Sequence, residues 1–395
     1  MNNLPIREKL TILAGTDIVP EDDEGGSGRV AWETARRLAA KGHRLSVLTK
    51  GTAGKTDFET VDGVELYRYR GSPVKFLAAV KRIIQRHGKI DVLDLHHPYT
   101  AFLAQRALGG VPALYNFHSP WAEEYAIRAG DLGFGPGRKI LGCFFRKLLE
   151  RSALKSSKVI LNASRFMADR LMAAHGLASR IIPLGVDTGK FFPASDAAAL
   201  RKKLGIPGDS FVVFTVRNLV TRMGLENLVE AAVSVAKKEP KALFIIGGRG
   251  YLREKLERMA AAAGLSGRVR FTGYIPDDEL PLYYQSADLF VLPTRLLEGF
   301  GLVTLEALSC GTPVLATPVA ANLEVLGAFG KEFLLKNESP EAIAEGITDF
   351  MSAYPGRKDK LRAGCRAFIE LNYSWEKYAD EVEKVMYEIR RPDHA

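Results

Sequence analysis

The sequence has few of the features that mark secreted, metal-binding or membrane-spanning proteins. Its 395 residues include three cysteines, at positions 143, 310 and 365, and none belongs to a CxxC pair. Cysteines this scattered argue against a disulfide framework or a zinc site and favour a reduced compartment. The first segment, MNNLPIREKLTILAG, carries early charges, and no apolar run approaches the ~18 residues of a membrane span. These absences favour a cytoplasmic protein without a signal sequence.

Metal-ligand patterns are also missing. The seven histidines show no spacing typical of metal ligands. His96 and His97 are adjacent on a predicted strand, where successive side chains point to opposite faces. We therefore predict no metal site.

Acidic residues are scarce relative to basic ones in the first half only. Residues 1–190 contain 29 Lys and Arg against 19 Asp and Glu, a balance of +10, and residues 191–395 contain 26 against 27, a balance of −1. The excess favours contact of the N-terminal half with a polyanionic acceptor or an anionic membrane surface. A basic, solvated face is an equally good interpretation.

Two basic stretches could make such a contact. The predicted helix 74–86 and the stretch 138–158 both combine Lys and Arg with apolar side chains. The apolar positions of the second are Ile140, Leu141, Phe144, Phe145, Leu148 and Leu149. We favour packing of this face on the core, with attachment to a membrane surface as the alternative.

The length favours two domains, because 395 residues exceed the usual size of one hydrophobic core. Strand-like apolar runs alternate with amphipathic helical segments, which is typical of parallel βαβ units. The sequence therefore predicts an α/β protein with two successive Rossmann-like domains. We expect the first at 1–187 and the second at 188–374.

The stretch Asp288–Pro313 predicts a buried strand, a loop and a short helix that ends at Gly311. Two carboxylates lie within it: Glu298 in the loop and Glu306 in the opening turns of the helix. Glycines beside the loop carboxylate let backbone N–H groups approach a ligand, and a helix N-terminus attracts an anion such as phosphate. A phosphate cradle flanked by two carboxylates that accept hydrogen bonds from hydroxyls suits a nucleotide sugar.

The N-terminal half supplies further candidates after its predicted strands. The first strand is followed by a glycine-rich loop with Gly25, Gly26 and Gly28, which is not a GxGxxG pattern. His118 and Ser164 each come at the C-terminal end of a later strand. That edge of an open α/β sheet is where ligands bind.

The two carboxylates, with seven residues between them, GFG after the first and EALSCGTPV from the second, resemble the signature of the retaining family 4 glycosyltransferases. The resemblance covers most of the chain and is strongest at 216–325. It implies the GT-B fold, in which two facing Rossmann-like domains have the active site in the cleft between them. The C-terminal domain would bind the nucleotide sugar and the N-terminal domain the acceptor. The last helix, about 375–395, would cross back to the N-terminal domain.

The resemblance also implies a role for each candidate. Glu298 would orient hydroxyls of the transferred sugar, Glu306 would bind the ribose, and His118 would lie beside the donor sugar. The other implied donor contacts are the glycine-rich loop (Gly25, Gly26, Gly28), the segment Gly299, Phe300, Gly301 and Leu302, and Tyr274 near the base. Glu124 and Ser164 are candidate acceptor contacts.

The segment Arg217–Gly224 departs from the family pattern, which reads roughly GRLVPEKG with an Arg and a Lys that reach the donor diphosphate. Asn218 and Met223 take the places of that Arg and that Lys, and cations lie one position away at Arg217 and Arg222. A guanidinium can bind phosphate oxygens in a bidentate manner, so Arg can replace Lys. We favour Arg222, because a shift of one position at a strand end turns a side chain to the other face.

Together these residues predict a retaining, metal-independent hexosyltransferase that needs no cofactor. It would move a sugar from a nucleotide-diphosphate donor, UDP- or GDP-linked, to a hydroxyl of a glycan or glycolipid in cell-surface glycan or lipopolysaccharide synthesis. Nothing resembles the metal-binding DxD element of the other main glycosyltransferase fold. Arg222, Arg217 and the helix N-terminus behind Gly301 would therefore stabilise the leaving diphosphate. No convincing carboxylate nucleophile is present, so a same-face reaction fits better than a double displacement.

Three alternatives stay open. A sugar-nucleotide 2-epimerase could share the fold, although the paired carboxylates with GFG argue against it. A phosphorylase-type enzyme would need a lysine for pyridoxal phosphate, and no such context is visible. A non-catalytic partner subunit typically loses a donor-site Glu or Gly, and both are present here. We expect a cytoplasmic protein, with peripheral contact to the inner face of the membrane and no nucleic-acid partner.

Overall fold

A computed structural model describes residues 8–20, 22 and 25–390 of the chain. The chain divides into two compact units. The first unit consists of Met1–Leu184 together with Trp375–Ala395, and the second unit is Gly185–Ser374.

The first unit is built around a mostly parallel sheet. Its strands are β1 (Thr11–Gly15), β2 (Arg44–Lys50), β3 (Phe58–Val61), β4 (Val64–Tyr69), β5 (Val92–Leu95), β6 (Ala113–Asn116), β7 (Val159–Asn162) and β8 (Arg180–Ile181). Its helices up to residue 184 are α1 (Gly26–Ala40), α2 (Pro73–His87), α3 (Pro98–Ala107), α4 (Trp121–Asp131), α5 (Pro136–Lys155) and α6 (Arg165–His175). Across the described residues the strand order is β3-β4-β2-β1-β5-β6-β7-β8, and only β3 runs antiparallel to its neighbour.

The central strands of this sheet are buried on both faces. Every residue of β1, β5 and β6 is buried, because helices cover the sheet on either side. Continuous apolar runs of this kind are what a doubly covered parallel sheet requires. The C-terminal ends of β5 and β6 are therefore held rigidly, and the residues that follow them are placed side by side.

The second unit repeats the same arrangement on a smaller scale. Its strands are β9 (Phe211–Val216), β10 (Ala242–Gly247), β11 (Val269–Gly273), β12 (Leu289–Leu292) and β13 (Val314–Ala316). Its helices are α7 (Ala197–Lys203), α8 (Leu225–Lys238), α9 (Arg253–Ala262), α10 (Leu280–Ser286), α11 (Leu302–Ser309), α12 (Asn322–Phe329), α13 (Pro340–Ala353) and α14 (Lys358–Asn372). The described strands form a parallel sheet in the order β11-β10-β9-β12-β13, so β9 and β12 are neighbours near its middle.

The last helix, α15 (Trp375–Arg390), belongs to the first unit, although α14, which directly precedes it in sequence, belongs to the second unit. Its apolar stripe, which includes Tyr378, Val385 and Met386, is buried. Polar contacts join its outer edge to the turn between α1 and β2: Glu383 Oε2 forms an ion pair with Lys41 Nζ at 2.6 Å, and Glu383 Oε1 is hydrogen-bonded to His43 Nε2 at 2.8 Å.

The predicted strands and helices agree with the structure in most places, with differences in the first unit. Gly26 and Gly28 were predicted to lie in a loop, but they belong to the first turn of α1, which begins at Gly26. His96 and His97 were predicted to lie on a strand, but β5 ends at Leu95 and His97 is the N-cap of α3. The alternation of side chains along a strand therefore does not apply to these two histidines.

The interpretation of residues 138–158 as a core-facing apolar helix is wrong for most of that face. The helix forms as α5, and it buries Glu150, Ala153 and Leu154. Five of the six apolar side chains expected in the core are exposed instead: Ile140 (69%), Leu141 (57%), Phe144 (60%), Phe145 (52%) and Leu148 (54%). The physical reason is that α5 packs on α3 and α4 through its opposite side.

None of the helices within the described residues combines the length and the apolar character needed to cross a membrane.

Candidate active site

The loop that follows β12 holds the first carboxylate in a buried, fully engaged position. Glu298 is 6% exposed, and its Oε2 accepts a hydrogen bond from Arg217 Nη2 at 2.5 Å and from Thr294 Oγ1 at 3.1 Å. Arg217 follows β9 directly and Thr294 follows β12 closely, so the neighbouring strands bring the three side chains together. The result is a buried ion pair at the C-terminal edge of the sheet, the edge where α/β sheets bind ligands.

The backbone around Glu298 is held in an uncommon conformation. Leu297 has φ of 57°, in the left-handed region that residues other than glycine rarely occupy. Its carbonyl oxygen accepts a hydrogen bond from Arg222 Nη1 at 3.1 Å, and the amides of Arg295 and Leu296 donate to the Arg222 carbonyl. These contacts tie the loop after β9 to the loop after β12. Strain that surrounding contacts maintain is a common property of functional sites.

Arg217 is the more deeply placed of the two candidate cations. Its side chain is 7% exposed, and Nη2 lies 2.7 Å from the sulfur of Met223 as well as against Glu298. Among the residues that the structure describes, Arg217 Nε is buried and has no hydrogen-bond partner. The guanidinium therefore reaches the position at which the family pattern has a lysine, and it keeps one buried N–H without an acceptor.

The second carboxylate, Glu306, lies inside α11 and is 5% exposed. Tyr284 on α10 donates its hydroxyl to Glu306 Oε2 at 2.8 Å. The sequence singled out Glu306 but not Tyr284, which was part of an apolar helix. An aromatic residue that is 0% exposed must find a partner for its hydroxyl, and that requirement is the only signal by which it could have been found.

The segment between the carboxylates begins α11. Gly301 is the N-cap with φ of 87°, which a residue with a side chain would adopt only under strain, and Leu302 is the first helical residue. Thr304 Oγ1, in the first turn, is buried without a hydrogen-bond partner. Gly299 is half-buried, and Phe300 is buried against Tyr373 with ring centroids 5.8 Å apart. The first turn thus places the positive end of a helix beside an unsatisfied hydroxyl, a suitable place for an anion.

Tyr274, the residue expected near the base, follows β11. The guanidinium of Arg249 lies 4.2 Å from the centroid of its ring. The preceding Gly273 has φ of 73° and a Cβ there would lie 2.7 Å from Arg253 Nη1, so this turn is closely packed.

In the first unit, His118 comes two residues after the end of β6 and lies beside His96, which follows β5. His118 Nε2 lies 3.2 Å from His96 Nδ1, and His96 Nε2 lies 3.1 Å from Asp94 Oδ1. Asn116 Nδ2 donates to the same Asp94 oxygen at 2.7 Å. Burial, together with the neighbouring His96 and His97, lowers the pKa of His118 to about 3, so its imidazole is neutral.

The other candidates of the first unit have mainly structural partners. Gly25 caps α1, and a Cβ at Gly28 would lie 2.2 Å from the carbonyl oxygen of Ile18, whereas Gly26 has open space beside it. Ser164 is buried and its Oγ accepts the Met167 amide at 3.2 Å as the N-cap of α6.

Glu124 is half-buried in the first turn of α4. Its place at a helix N-terminus suits a carboxylate, because the helix dipole stabilises negative charge there.

Within the residues that the structure describes, no group of three or more His, Cys, Asp or Glu side chains has an arrangement that could hold a metal ion.

Sequence reasoning missed the partners of the singled-out residues. Thr294 lies in the same loop as Glu298, whereas Tyr284 beside Glu306, and His96 with Asp94 beside His118, lie on other elements. In the sequence, the dipeptide His96–His97 on a predicted strand is the signal that could have pointed to the contact with His118.

Two family models match the chain. The one described as Glycosyltransferase Family 4 matches residues 24–190, and the one described as Glycosyl transferases group 1 matches residues 196–366. Between them they span most of both units.

Individual relatives agree with these matches. The chain is 28% identical over 370 residues to D-inositol 3-phosphate glycosyltransferase 1 of Catenulispora acidiphila. The aligned region covers 87% of this chain and 86% of that protein. It is 34% identical over 239 residues to the GDP-mannose-dependent alpha-(1-6)-phosphatidylinositol monomannoside mannosyltransferase of Mycolicibacterium smegmatis, which covers 57% of this chain and 62% of that one.

Among solved structures, the sucrose-phosphate synthase of Thermosynechococcus elongatus superposes with a TM-score of 0.83 at 22% identity, over 96% of this chain and 99% of the other. Two parallel-sheet units with this likeness confirm the expected fold class. The chain belongs to the family 4, or group 1, glycosyltransferases of the GT-B fold, enzymes that transfer a sugar from a nucleotide-sugar donor to an acceptor.

Proposed function

We propose that this glycosyltransferase retains the anomeric configuration of the sugar, needs no metal ion, and transfers from a UDP- or GDP-linked donor to a hydroxyl of a glycan or glycolipid. In this proposal the second unit binds the nucleotide sugar and the first unit binds the acceptor. The relative named as GDP-mannose-dependent acts on a phosphatidylinositol mannoside, which supports a glycolipid acceptor here.

The observation that carries the proposal is the buried pair of Arg217 and Glu298. Both side chains are more than nine-tenths buried, and the guanidinium keeps an unpaired N–H at Nε. A buried cation whose hydrogen-bonding capacity is incomplete suits the oxygens of a diphosphate, which accept bidentate hydrogen bonds. A fixed positive charge that needs no reorganisation stabilises the leaving diphosphate as its charge develops.

The remaining residues have matching roles. Arg222 and the first turn of α11 supply further positive potential, so the charge of the leaving group is met without a metal ion. Glu298, whose Oε2 is held by Arg217 and Thr294, orients sugar hydroxyls through its other oxygen. Glu306 binds the ribose. A same-face reaction, in which the departing phosphate assists the acceptor hydroxyl, leads to retention.

The test is transfer from a panel of UDP- and GDP-sugars to candidate glycolipid acceptors in the presence of EDTA, with the anomeric configuration of the product read by NMR. Undiminished transfer in EDTA and an anomer identical to that of the donor support the proposal. An inverted anomer, or activity that returns only when a divalent metal is added, contradicts it. Conversion of the donor sugar without any acceptor would favour the epimerase instead.

We also propose that α5 attaches the first unit to an anionic membrane surface. Ile140, Leu141, Phe144, Phe145 and Leu148 lie along one side of α5 and are more than half exposed. The helix buries the opposite side, so no other element of the described chain covers this apolar face. Contiguous exposed apolar side chains mark a site of interaction.

The charges of α5 favour a lipid surface as its partner. The helix carries Arg138, Lys139, Arg146, Lys147, Arg151 and Lys155. Its one acidic residue, Glu150, is buried and paired with His175, so it does not offset these cations at the surface. Apolar side chains between Lys and Arg are the pattern of helices that lie in the headgroup region of anionic bilayers.

Co-sedimentation with vesicles of phosphatidylglycerol and phosphatidylcholine tests this attachment. We expect binding to phosphatidylglycerol vesicles that weakens as salt is raised, and little binding to phosphatidylcholine alone. The double variant Phe144→Ser/Phe145→Ser should lose binding. Leu371→Ser, which changes a side chain that is 73% exposed on α14, is the matched control and should bind like the unaltered protein. Absence of binding to both vesicles, or concentration-dependent dimers that the double variant abolishes, would contradict a membrane role.

A further inference from the structure

A buried line of polar side chains leads to His118 and is not used by the proposed reaction. Asp94 and His96 are 2% and 3% exposed. The rings of His96 and His118 are nearly parallel, 18° apart, and His96 Nδ1 lies 3.2 Å from His118 Nε2. The other nitrogen of His96 lies 3.1 Å from Asp94 Oδ1. The three side chains thus form a chain in which one imidazole connects a carboxylate to a second imidazole.

The carboxylate determines which nitrogens carry protons. A carboxylate group can only accept hydrogen bonds, so the 3.1 Å contact with Asp94 Oδ1 places a hydrogen on His96 Nε2. The other nitrogen of a neutral His96 is then an acceptor, and the hydrogen between the two rings must belong to His118 Nε2. A neutral His118 therefore has its lone pair on Nδ1.

Neighbouring residues make this arrangement rigid. Asn116 Nδ2 lies 3.2 Å from His96 Nε2, but its two hydrogens have acceptors in the same Asp94 oxygen at 2.7 Å and the Leu95 carbonyl oxygen at 3.4 Å. Tyr378 on α15 donates its hydroxyl to Asn116 Oδ1 at 3.1 Å, which fixes the orientation of this amide. Asp94 Oδ1 thus accepts from Asn116 as well as from His96, which disfavours the reversed direction of the chain. Burial also lowers the pKa of His118, so a second proton on its ring is disfavoured.

Nδ1 of His118 is the end of the chain that faces away from these partners. It has no protein hydrogen-bond partner within residues 8–20, 22 and 25–390, and the His118 side chain is only half-buried. A ligand group placed against it would have to donate a hydrogen bond, and a sugar hydroxyl is such a group.

We propose that Asp94 and His96 are positioning residues that hold His118 as the Nε2–H tautomer, so that His118 Nδ1 accepts a hydrogen bond from a hydroxyl of the bound sugar. The inference rests on the proposed role of His118 beside the donor sugar. It adds a specificity rule: a sugar that lacks the hydroxyl, or that carries fluorine in its place, leaves Nδ1 without a donor.

The tautomer can be measured without substrate. Histidine labelled with ¹⁵N in the full-length protein gives different long-range correlations for the Nδ1–H, Nε2–H and charged forms, and His118→Gln identifies the signal. At pH 7 we expect His96 and His118 both as Nε2–H tautomers. A His118 that is charged, or protonated at Nδ1, would overturn the inference whatever the activity of the enzyme.

The positioning role is tested by Asp94→Asn, with Asp91→Asn as the matched control. Asp91 precedes the same strand and its Oδ2 accepts the Thr11 amide at 2.9 Å, but it does not belong to the histidine chain. We expect Asp94→Asn to give mixed His118 tautomers and to lower kcat about tenfold, the size of one hydrogen bond to a hydroxyl, while the affinity for the nucleoside diphosphate stays unchanged.

Circular dichroism first establishes that both variants fold. If Asp94→Asn does not fold, the His118 tautomer of the unaltered protein still tests the inference. An unchanged His118 tautomer and kcat in Asp94→Asn would overturn the positioning role. An Nε2–H tautomer together with full activity of His118→Gln would leave the hydrogen-bonded chain intact but contradict the proposed function of His118, so the two failures are distinguishable. A donor that lacks the matching hydroxyl should lose about tenfold with the unaltered enzyme and nothing further with His118→Gln.

Discussion

At the scale of single residues, the candidate donor site depends on a charged pair from which water is largely excluded. Arg217 and Glu298 are each less than a tenth exposed, so neither charge is solvated if its partner is removed. Breaking such a pair is strongly destabilising even where the intact pair contributes little, because the remaining charge stays buried.

We therefore expect Arg217→Met to lower the free energy of unfolding by ~3–5 kcal/mol. Glu298→Gln should cost less, because the amide still accepts from Thr294, and the double variant should recover part of the loss. Urea unfolding of the four proteins in a double-mutant cycle measures the coupling. Additive effects would mean that the two side chains do not form the pair described here.

Glu306 has both a structural partner and a proposed ligand, and the two roles can be separated. Glu306→Ala should abolish binding of the nucleotide sugar in calorimetry, because the ribose loses its acceptor. Tyr284→Phe removes only the hydroxyl that donates to Glu306 and should cost ~1–3 kcal/mol of stability while donor binding persists. Unchanged affinity in Glu306→Ala would remove this carboxylate from the proposed site.

The glycines of α1 differ in how much space surrounds them. A Cβ at Gly28 would lie 2.2 Å from the Ile18 carbonyl oxygen, a backbone atom whose displacement would disturb the chain. A Cβ at Gly26 would have no atom within 4 Å. We expect Gly28→Ala to lower the melting temperature, with a cost of ~1–3 kcal/mol or more. Gly26→Ala, the matched control, should be neutral or slightly stabilising, because alanine favours the helix. Equal effects of the two would contradict the close approach of Ile18.

At the scale of elements, α15 shows how a distant segment completes a core. Sequence position would assign it to the second unit, yet its apolar stripe is buried in the first. Met386 is 0% exposed there, so its removal leaves a cavity.

Met386→Ala should therefore destabilise the first unit by ~2–5 kcal/mol, the usual cost of such a cavity. The comparison is Lys384→Ala on the same helix, whose side chain is 56% exposed and which should change stability by less than about 0.5 kcal/mol. Chemical unfolding followed by fluorescence measures both. Unchanged stability of the first unit in Met386→Ala would show that α15 does not belong to the first core.

At the scale of the whole molecule, the two units can be observed separately. Trp32, Trp121 and Trp375 are the three tryptophans of the chain, and all belong to the first unit. Tryptophan fluorescence therefore reports the unfolding of the first unit alone, which matters because two units need not unfold as one.

The first unit also contains three histidines whose protonation is disfavoured because their imidazoles are buried. Burial lowers the pKa of His118 to about 3 and lowers those of His97 and His43 as well. These imidazoles stay neutral in the folded state and take up protons in the unfolded state below about pH 6.5, so the unfolded state then binds more protons. The contribution of these neutral imidazoles to the free energy of unfolding is fully present above that pH and is lost as the pH falls below it.

We thus expect the tryptophan-detected free energy of unfolding to be flat near pH 7.5 and to decrease as the pH falls from 6.5 towards 4.5. His118→Gln should flatten part of that decrease. Urea unfolding at a series of pH values measures the slope, and a slope that is the same in His118→Gln would exclude His118 as a source.

Much of the fold could be predicted because local pattern determines it. The apolar run before Pro293 predicts the buried strand within Asp288–Pro313, and this strand forms as β12 and is buried along its whole length. Short helices such as α3 and α4 were not predicted, because their sequences lack a sharp apolar stripe. The apolar face of α5 was misassigned since the periodicity of a helix gives its apolar side but not what covers that side.

The sequence by itself determined the family, the two-unit α/β architecture and the positions of Glu298, Glu306 and His118, since each depends on residues close together in the chain. Only the tertiary structure decided which side chains meet them: Arg217 and Thr294 at Glu298, Tyr284 at Glu306, and His96 with Asp94 at His118. Thr294 lies in the same loop as Glu298, but the other partners come from neighbouring strands or from another helix, and local spacing does not determine the order of strands in a sheet. For the same reason the burial that lowers the pKa of His118, and the exposure of α5, became visible only in the folded molecule.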